Sequence, residues 1–187
     1  MTIRGVFIMH QIPTQEDDGA IVHLDPDEVL ICEVLGRMRS INARAARVRD
    51  VKIGKQNGEE ADVMGMKAEY AFAKLFNTFP DLGLTPRSGS ADGVISGYAY
   101  DIKATHYKNG KLLATKKINH HVDMYVLAVV TEPHVVDFKG YLFKKDFIKE
   151  SNLRDLGHGE GYCVDQCDLK KFKKLKKITM QNDRNND

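Results

Sequence analysis

Apolar residues recur every three or four positions in the first quarter of the chain, which is typical of one face of an α-helix. This apolar stripe consists of Ile31, Val34, Leu35, Met38, Ile41, Ala45 and Val48. Asp25 followed by Pro26 favours a helix start, because aspartate caps free N–H groups and proline fits the first turn. The pattern predicts a helix over 25–49, with Arg37, Arg44 and Arg47 together on another face.

The rest of the chain alternates polar segments with short apolar runs. A second helix is predicted over 63–76, between polar loops at 50–61 and 77–90. Strand-like runs follow at 93–95, 98–106, 111–115, 124–130 and 138–143, and then a short helix over 145–150. Residues 126–130 are apolar throughout, which indicates a central strand. Residues 1–24 are predicted to be irregular, apart from a short strand at 3–9.

Length and composition suit one soluble globular domain of 187 residues, of which 42% are hydrophobic and 29% charged. We expect a long basic helix within 1–50 and a frayed basic tail from about 176. No apolar run approaches the about 20 residues that a membrane helix needs, and we identify no signal peptide. Cys32, Cys163 and Cys167 are too few and too scattered for a disulfide framework. A cytoplasmic protein without a membrane partner is therefore predicted.

Charge is distributed unevenly, although the net charge is only +2. Arginines cluster at positions 37, 39, 44, 47 and 49, and lysines at 170, 171, 173, 174, 176 and 177. Such clusters can hold phosphates, or they can be ordinary solvated faces. Both interpretations stay open for each cluster.

A predicted β-hairpin carries the candidate chemistry. Ser96-Gly97 is a plausible two-residue turn, and counting outward from it makes Asp92 face Asp101. Two carboxylates at facing positions are roughly 5 Å apart and repel each other. A hard divalent cation such as Mg²⁺ or Mn²⁺ between them would remove that repulsion. The strand period places Lys103 on the same face as Asp101.

The Asp-x-Lys pattern alone is weak, since it occurs at residues 50–52, 101–103, 137–139 and 168–170. Only Asp101-Ile102-Lys103 is flanked by β-formers and has an acid at the facing position. A lysine beside a metal-bound water can orient it and stabilise charge on a phosphate. The alternative is that Asp92 is a solvated acid near a turn and the triplet is an exposed strand pair.

A longer pattern adds to this hairpin. The order is Glu69 within a helix, then Asp92, then Asp101-Ile102-Lys103. It resembles the PD-(D/E)XK nuclease superfamily, which has the restriction-endonuclease-like fold, and within it small phage members. The similar stretch covers about residues 62–169 and includes Asp62-Val63-Met64-Gly65-Met66-Lys67-Ala68-Glu69, Phe79-Pro80-Asp81, Asp123-Met124-Tyr125-Val126-Leu127 and Leu156-Gly157-His158-Gly159-Glu160-Gly161-Tyr162.

The resemblance implies a mixed α/β fold with an αβββαβ core, in which helices flank a mixed sheet. It implies Mg²⁺-dependent DNA cleavage, in the host cytoplasm if the protein is of phage origin. Asp92, Asp101 and the Ile102 carbonyl would bind metal, Lys103 would assist catalysis, and Glu69 would approach the metal from its helix. Ala91 departs from the proline of the family's name, a position where that proline is often absent. Enzymes of this fold often act as homodimers.

DNA contacts are predicted for Arg37, Arg44, Arg47, Arg87, Ser88, Lys116 and Lys117. The competing function is a module that binds nucleic acid or protein on the same fold without cutting. A zinc site is not favoured, because His158, Cys163 and Cys167 give three ligands where structural zinc needs four. His120 or His121 could supply the fourth only through the fold.

Overall fold

The helix α2 (Gly58–Leu75) packs on one face of the main sheet, and the helix α1 (Pro26–Ala45) packs against α2. The computed structural model describes residues 20–47, 57–85, 90–117, 119–157 and 159–172. The predicted strand at 3–9 and the basic tail lie outside these ranges. α1 begins as predicted, because Asp25 and Glu28 form a reciprocal capping box with bonds of 2.9 and 2.8 Å.

α2 begins earlier than the sequence suggested. The predicted loop over 50–61 is wrong at its end, since Asn57 caps the helix and Glu59 lies in the first turn. Acidic residues there interact favourably with the helix dipole, so a polar segment can still start a helix. Within α1, Gly36 allows close packing, because a Cβ there would lie 2.5 Å from the Val63 Cα of α2.

Within the described ranges, eight strands form two sheets. They are β1 (Ala20–His23), β2 (Gly93–Ile95), β3 (Tyr98–Thr105), β4 (Leu112–Thr115), β5 (Met124–Glu132), β6 (Val135–Phe143), β7 (Leu153–Asp155) and β8 (Glu160–Val164). The main sheet has the order β1-β6-β5-β3-β2, in which β3 and β5 pair in parallel and the other pairs are antiparallel. The predicted class is confirmed: a mixed sheet flanked by helices, with β5 at its centre.

A second sheet, of order β4-β8-β7, covers the other face of the main sheet together with the short helix α3 (Lys144–Phe147). Its strands β7 and β8 were missed, because residues 153–164 contain three glycines and little apolar alternation. β5 shows the layering: Met124, Val126 and Ala128 pack towards the helices, while Tyr125 and Leu127 pack towards the second sheet.

Most of the described apolar stripe of α1 lies outside the core, although Leu35 packs against the core. The buried positions of α1 are Cys32, Gly36 and Ser40, whereas Val34 is 52% exposed and Ile41 is 53% exposed. The described part of the chain contains no helix long and apolar enough to cross a membrane.

Candidate active site

The β2–β3 hairpin has the predicted register. Ile95 pairs with Tyr98 and Gly93 with Tyr100, around a turn in which Ser96 and Gly97 have φ of 48° and 79°. Positive φ at both positions is what a tight hairpin turn of this kind requires. Glycine is required at position 93, because a Cβ there would lie 2.3 Å from the hydroxyl oxygen of Tyr100.

Asp92 departs from the predicted arrangement in one respect. The strand pairing ends at Gly93, so Asp92 and Asp101 are not a regular cross-strand pair. Instead the Asp92 N–H donates to the Tyr100 carbonyl at 2.8 Å, and the Asp92 carboxylate accepts the Ile102 N–H at 2.7 Å. β2 does not extend as far as the position opposite Ile102. Without the Asp92 carboxylate, the Ile102 N–H would therefore have no partner on this side of β3.

The carboxylate of Asp92 lies in a crowded electrostatic setting. Burial raises its pKa well above the usual range, and the charges of Glu69 and Asp101 raise it further. The Ile102 hydrogen bond and the Lys103 charge act in the opposite direction. Glu69, Asp101 and Lys103 therefore all lie within electrostatic reach of Asp92.

Asp101 and Lys103 lie on the face of β3 away from α2, because Tyr100 and Ile102 are buried against that helix. The Lys103 Nζ lies 2.7 Å from a carboxylate oxygen of Asp101. Lys103 remains 38% exposed and can therefore reach a ligand. On the neighbouring strand Tyr125 pairs with Asp101, and burial with that negative charge raises the pKa of Tyr125 to about 12.

Glu69 comes to this cluster from α2, and an arginine that the sequence did not single out holds it there. The Arg39 Nη1 lies 2.7 Å from Glu69, while its other nitrogens donate to the carbonyls of Asp81 and Gly83 at 2.6 and 3.0 Å. Arg39 and Glu69 are only 15% and 16% exposed. Arg39 belongs to the arginine cluster, three positions after Gly36. The sequence does not distinguish Arg39 from the other arginines of the cluster, because its contact with Glu69 depends on the tertiary fold.

The predicted DNA contacts fall in three places. Arg37 and Arg44 lie 3.6 and 3.7 Å from Glu59, and Arg47 is exposed just beyond α1. Lys116 contacts Glu160 at 2.5 Å, and Lys117 is exposed. Nearby, the Asn119 amide donates to the Ser90 carbonyl at 3.3 Å, which ties the segment after β4 to the one that enters Asp92. Arg87 and Ser88 lie outside the described residues.

The described side chains do not form a ready-made site for the predicted metal ion. Nowhere in the described ranges do three or more His, Cys, Asp or Glu side chains stand together in a form that could hold a metal ion. Glu69 and Asp101 each turn towards a basic partner instead. Cys163 and Cys167, from the zinc alternative, are free cysteines and belong to no such group within the described residues. His158, the third residue of that alternative, lies outside the described residues.

The chemistry of the donors nevertheless suits a hard cation. Three carboxylates supply oxygen, and the Ile102 carbonyl points to the same side of β3 as its N–H, towards Asp92. Burial and, after it, the charges of Glu69 and Asp101 raise the pKa of Asp92. A cation would relieve this repulsion if Glu69 or Asp101 turned from its basic partner.

Comparison with known proteins adds no relative. The chain matches no protein-family model, and no curated protein or solved structure shows significant similarity to it. The likeness to the PD-(D/E)XK superfamily therefore rests on the residues quoted above and stays a prediction.

Proposed function

We propose that this protein is a divalent-metal-dependent nuclease that hydrolyses phosphodiester bonds, most readily in DNA. The observation that carries the proposal is that the buried Asp92 lies within reach of the charges of Glu69, Asp101 and Lys103, of which Lys103 contacts Asp101 on β3. The ionised form of Asp92, buried and under the charges of Glu69 and Asp101, destabilises the fold unless a cation or a proton binds there. Such a cost is typical of functional sites.

Mg²⁺ or Mn²⁺ is the proposed cofactor, held by Asp92, Asp101, the Ile102 carbonyl and Glu69. When bound, such an ion polarises a phosphate oxygen and lowers the pKa of water. The chain's own contribution is to fix the donors. Asp92 is oriented by the Ile102 N–H, and Glu69 is oriented by Arg39.

Lys103 is the proposed catalytic cation. Its ammonium group lies beside Asp101 and remains partly open to solvent, so it can contact a phosphate without leaving β3. A positive charge placed where negative charge develops in the transition state is a strong source of rate acceleration. Lys116 and Lys117 are proposed to bind the phosphate backbone on the same side, next to the segment that leads to Asp92.

A cleavage panel tests the proposal. Linear, circular, single-stranded and branched DNA, and RNA, are incubated with the purified protein in Mg²⁺, Mn²⁺ or EDTA. Metal-dependent cleavage that is lost in D101A and K103A, with the fold intact, is expected. Cleavage that those variants retain would show contamination or a different active site.

The second candidate is a module that binds nucleic acid without cutting it. It is favoured by the internal pairing of Glu69 with Arg39 and of Asp101 with Lys103, which leaves no preformed three-ligand site within the described residues. This alternative predicts salt-sensitive DNA binding and no cleavage of any substrate in any metal.

A further inference from the structure

A groove of about 1300 Å³ runs along the second sheet. It lies between the β3–β4 connection, the segment after α3, and the strands β7 and β8, and we call it the second-sheet groove. Leu113 and Leu142 contribute apolar lining. The Gln166 side-chain amide fixes one rim, because it donates to the carbonyls of Lys108 and Gly110 at 2.9 and 2.8 Å. Contacts within the fold therefore define the groove.

Part of the charge in the second-sheet groove is neutralised by ion pairs. The Lys111 Nζ lies 2.9 Å from a carboxylate oxygen of Asp165, and the Lys170 Nζ lies 2.5 Å from one of Asp146. These two pairs leave no net charge for a ligand.

Three further cations line the second-sheet groove and are exposed: Lys108, Lys149 and Arg154. Among the described residues, no acid forms an ion pair with any of them. The remaining acids of the lining are Asp155, whose carboxylate already accepts a backbone N–H at 2.8 Å, and Asp168. The open cations outnumber the open acids, so the groove favours an anionic ligand.

Two exposed aromatic rings stand at the rim of the second-sheet groove. Tyr107 is 63% exposed, and its ring centroid lies 3.9 Å from that of His106. Proteins hold unpaired nucleic-acid strands by this combination, in which bases stack on exposed rings and phosphates follow a cationic groove. A segment of acidic polypeptide would use the cations but would gain little from the rings. The second-sheet groove therefore fits an unpaired strand better than an acidic peptide.

β3 connects the second-sheet groove to the candidate active site. Thr105 lies two positions after Lys103, on the same face of β3. The Thr105 hydroxyl accepts the Tyr107 N–H at 3.2 Å, and a Cβ on Gly110 would lie 2.5 Å from the Thr105 methyl group. The four residues from Lys103 to Tyr107 span at most about 14 Å. A strand that lies in the groove can therefore extend to Lys103.

We propose that the second-sheet groove binds single-stranded nucleic acid beside the candidate active site. An unpaired base stacks on Tyr107, and Lys108, Lys149 and Arg154 hold the phosphates. The proposal rests on nucleic acid being the ligand, as in both functions proposed above, and adds that the bound strand is unpaired. It does not require cleavage.

Fluorescence gives the first test, because the chain contains no tryptophan. Y107W places one at the rim of the groove. L30W is the matched control, because Leu30 is 59% exposed but lies on α1, on the other face of the main sheet. The full-length protein is titrated in EDTA with oligothymidylate of about ten nucleotides, and in parallel with oligouridylate and a duplex hairpin. We expect saturable quenching of Y107W by an unpaired strand, none by the hairpin, and none of L30W.

Fluorescence anisotropy with a labelled oligothymidylate tests the ring and the cations. Y107A should weaken binding by about 5- to 150-fold, the usual loss for one stacked base. K108A/K149A/R154A should reduce the slope of log affinity against log salt by about 2, since each phosphate contact to a single strand contributes about 0.7. K145A is the matched control for K149A, because Lys145 is exposed on α3 but lies outside the lining. K145A should leave the slope unchanged.

Several outcomes would overturn the proposal. Y107W fluorescence that neither oligonucleotide changes, or equal losses from K145A and K149A, would show that no strand lies in the second-sheet groove. Binding of polyglutamate in place of both oligonucleotides would assign the groove to an acidic protein segment.

Failure of the proposed nuclease is a separate result. Binding in the second-sheet groove without cleavage of any substrate in any metal would support the groove and count against the enzyme. Metal-dependent cleavage by a protein whose groove binds no strand would do the reverse.

Discussion

Two strands of the main sheet carry the same short pattern, and only one of them lies at the candidate active site. Asp101-Ile102-Lys103 on β3 and Asp137-Phe138-Lys139 on β6 both bury their central residue against the helices. In both, the lysine contacts the aspartate two residues before it. The aspartates are similarly shielded, at 16% and 21% exposure.

The two triplets differ in their neighbours. Asp137 lies opposite Ile21 on β1 and Val129 on β5, both apolar. Asp101 lies near Asp92, on which its charge and that of Glu69 both act. The comparison teaches that an Asp-x-Lys strand is an ordinary surface ion pair unless other parts of the fold bring further acids to it. The β6 triplet is thus a built-in control for the β3 triplet.

The largest expected effect is on catalysis. K103A and D101A should each lower the cleavage rate by about 100- to 10,000-fold, since the first removes a cation from the reacting phosphate and the second removes a metal ligand. K139A and D137A should leave the rate unchanged. Single-turnover rates in saturating Mg²⁺ measure the difference, with circular dichroism as a check on folding. Equal losses from the β3 and β6 variants would show that the comparison has no functional meaning.

The next largest effect concerns Arg39, which holds Glu69 of α2 in place. R39A should lower the free energy of unfolding by about 2–3 kcal/mol, because it breaks bonds to Glu69 and to two loop carbonyls in a shielded place. R37A on the same helix should cost less than about 1 kcal/mol, since its pair with Glu59 is exposed. Urea denaturation measures both. A loss from R39A no larger than that from R37A would contradict this account of Glu69.

A smaller effect distinguishes the triplets by pH. The folded-state pKa of Asp92 is raised, so ionisation of Asp92 opposes folding. Its contribution to stability is complete below the unfolded pKa of about 3.9 and is lost as the pH rises through the folded pKa. In metal-free buffer D92N should therefore raise Tm at neutral pH and not at acid pH. Each 1 kcal/mol corresponds to about 2–4 °C for a domain of this size.

D137N provides the control for that experiment. It removes the partner of Lys139 and relieves no repulsion among acids, so no gain at neutral pH is expected. Mg²⁺ should raise the Tm of the wild type and have less effect on D92N. A wild-type Tm that exceeds that of D92N at neutral pH without metal would show that Asp92 is not destabilised by its neighbours.

The smallest effect is on DNA affinity. In a K103A background with EDTA, substitution of Lys116 and Lys117 by alanine should weaken binding and reduce the slope of log affinity against log salt by about 1–2. The double variant R37A/R44A should weaken binding less, because both arginines lie near Glu59, whereas in the lysine pair Lys116 contacts Glu160 but Lys117 is exposed. Fluorescence anisotropy over a salt series measures both. The reverse order would place the DNA on α1.

Local signals predicted much of the fold. The Asp25-Pro26 start of α1, the Ser96-Gly97 turn and the apolar run of β5 each depend on residues close in sequence. Strands β7 and β8 carry few such signals, and their pairing with β4 is a long-range property. Asp92 and Asp101 were named from the register of the predicted hairpin, and Glu69 from the resemblance to the PD-(D/E)XK superfamily.

Other parts of the site could not be read from sequence. The end of the pairing at Gly93, which lets Asp92 bind the Ile102 N–H, depends on three-dimensional strand length. The role of Arg39 depends on how α1 crosses α2 and meets the loop at Asp81 and Gly83. The exposed stripe of α1 shows the same limit, since periodicity identifies an apolar face but does not say what covers it.

The bond between the Asp92 carboxylate and the Ile102 N–H gives the site an internal reporter. This amide hydrogen is protected by a side chain where a neighbouring strand would normally protect it. Any event that draws the carboxylate away, such as a change of its ligand, frees that hydrogen to exchange with solvent. The exchange rate of one backbone amide can therefore follow occupancy of the site in solution, without a substrate and without a mutation.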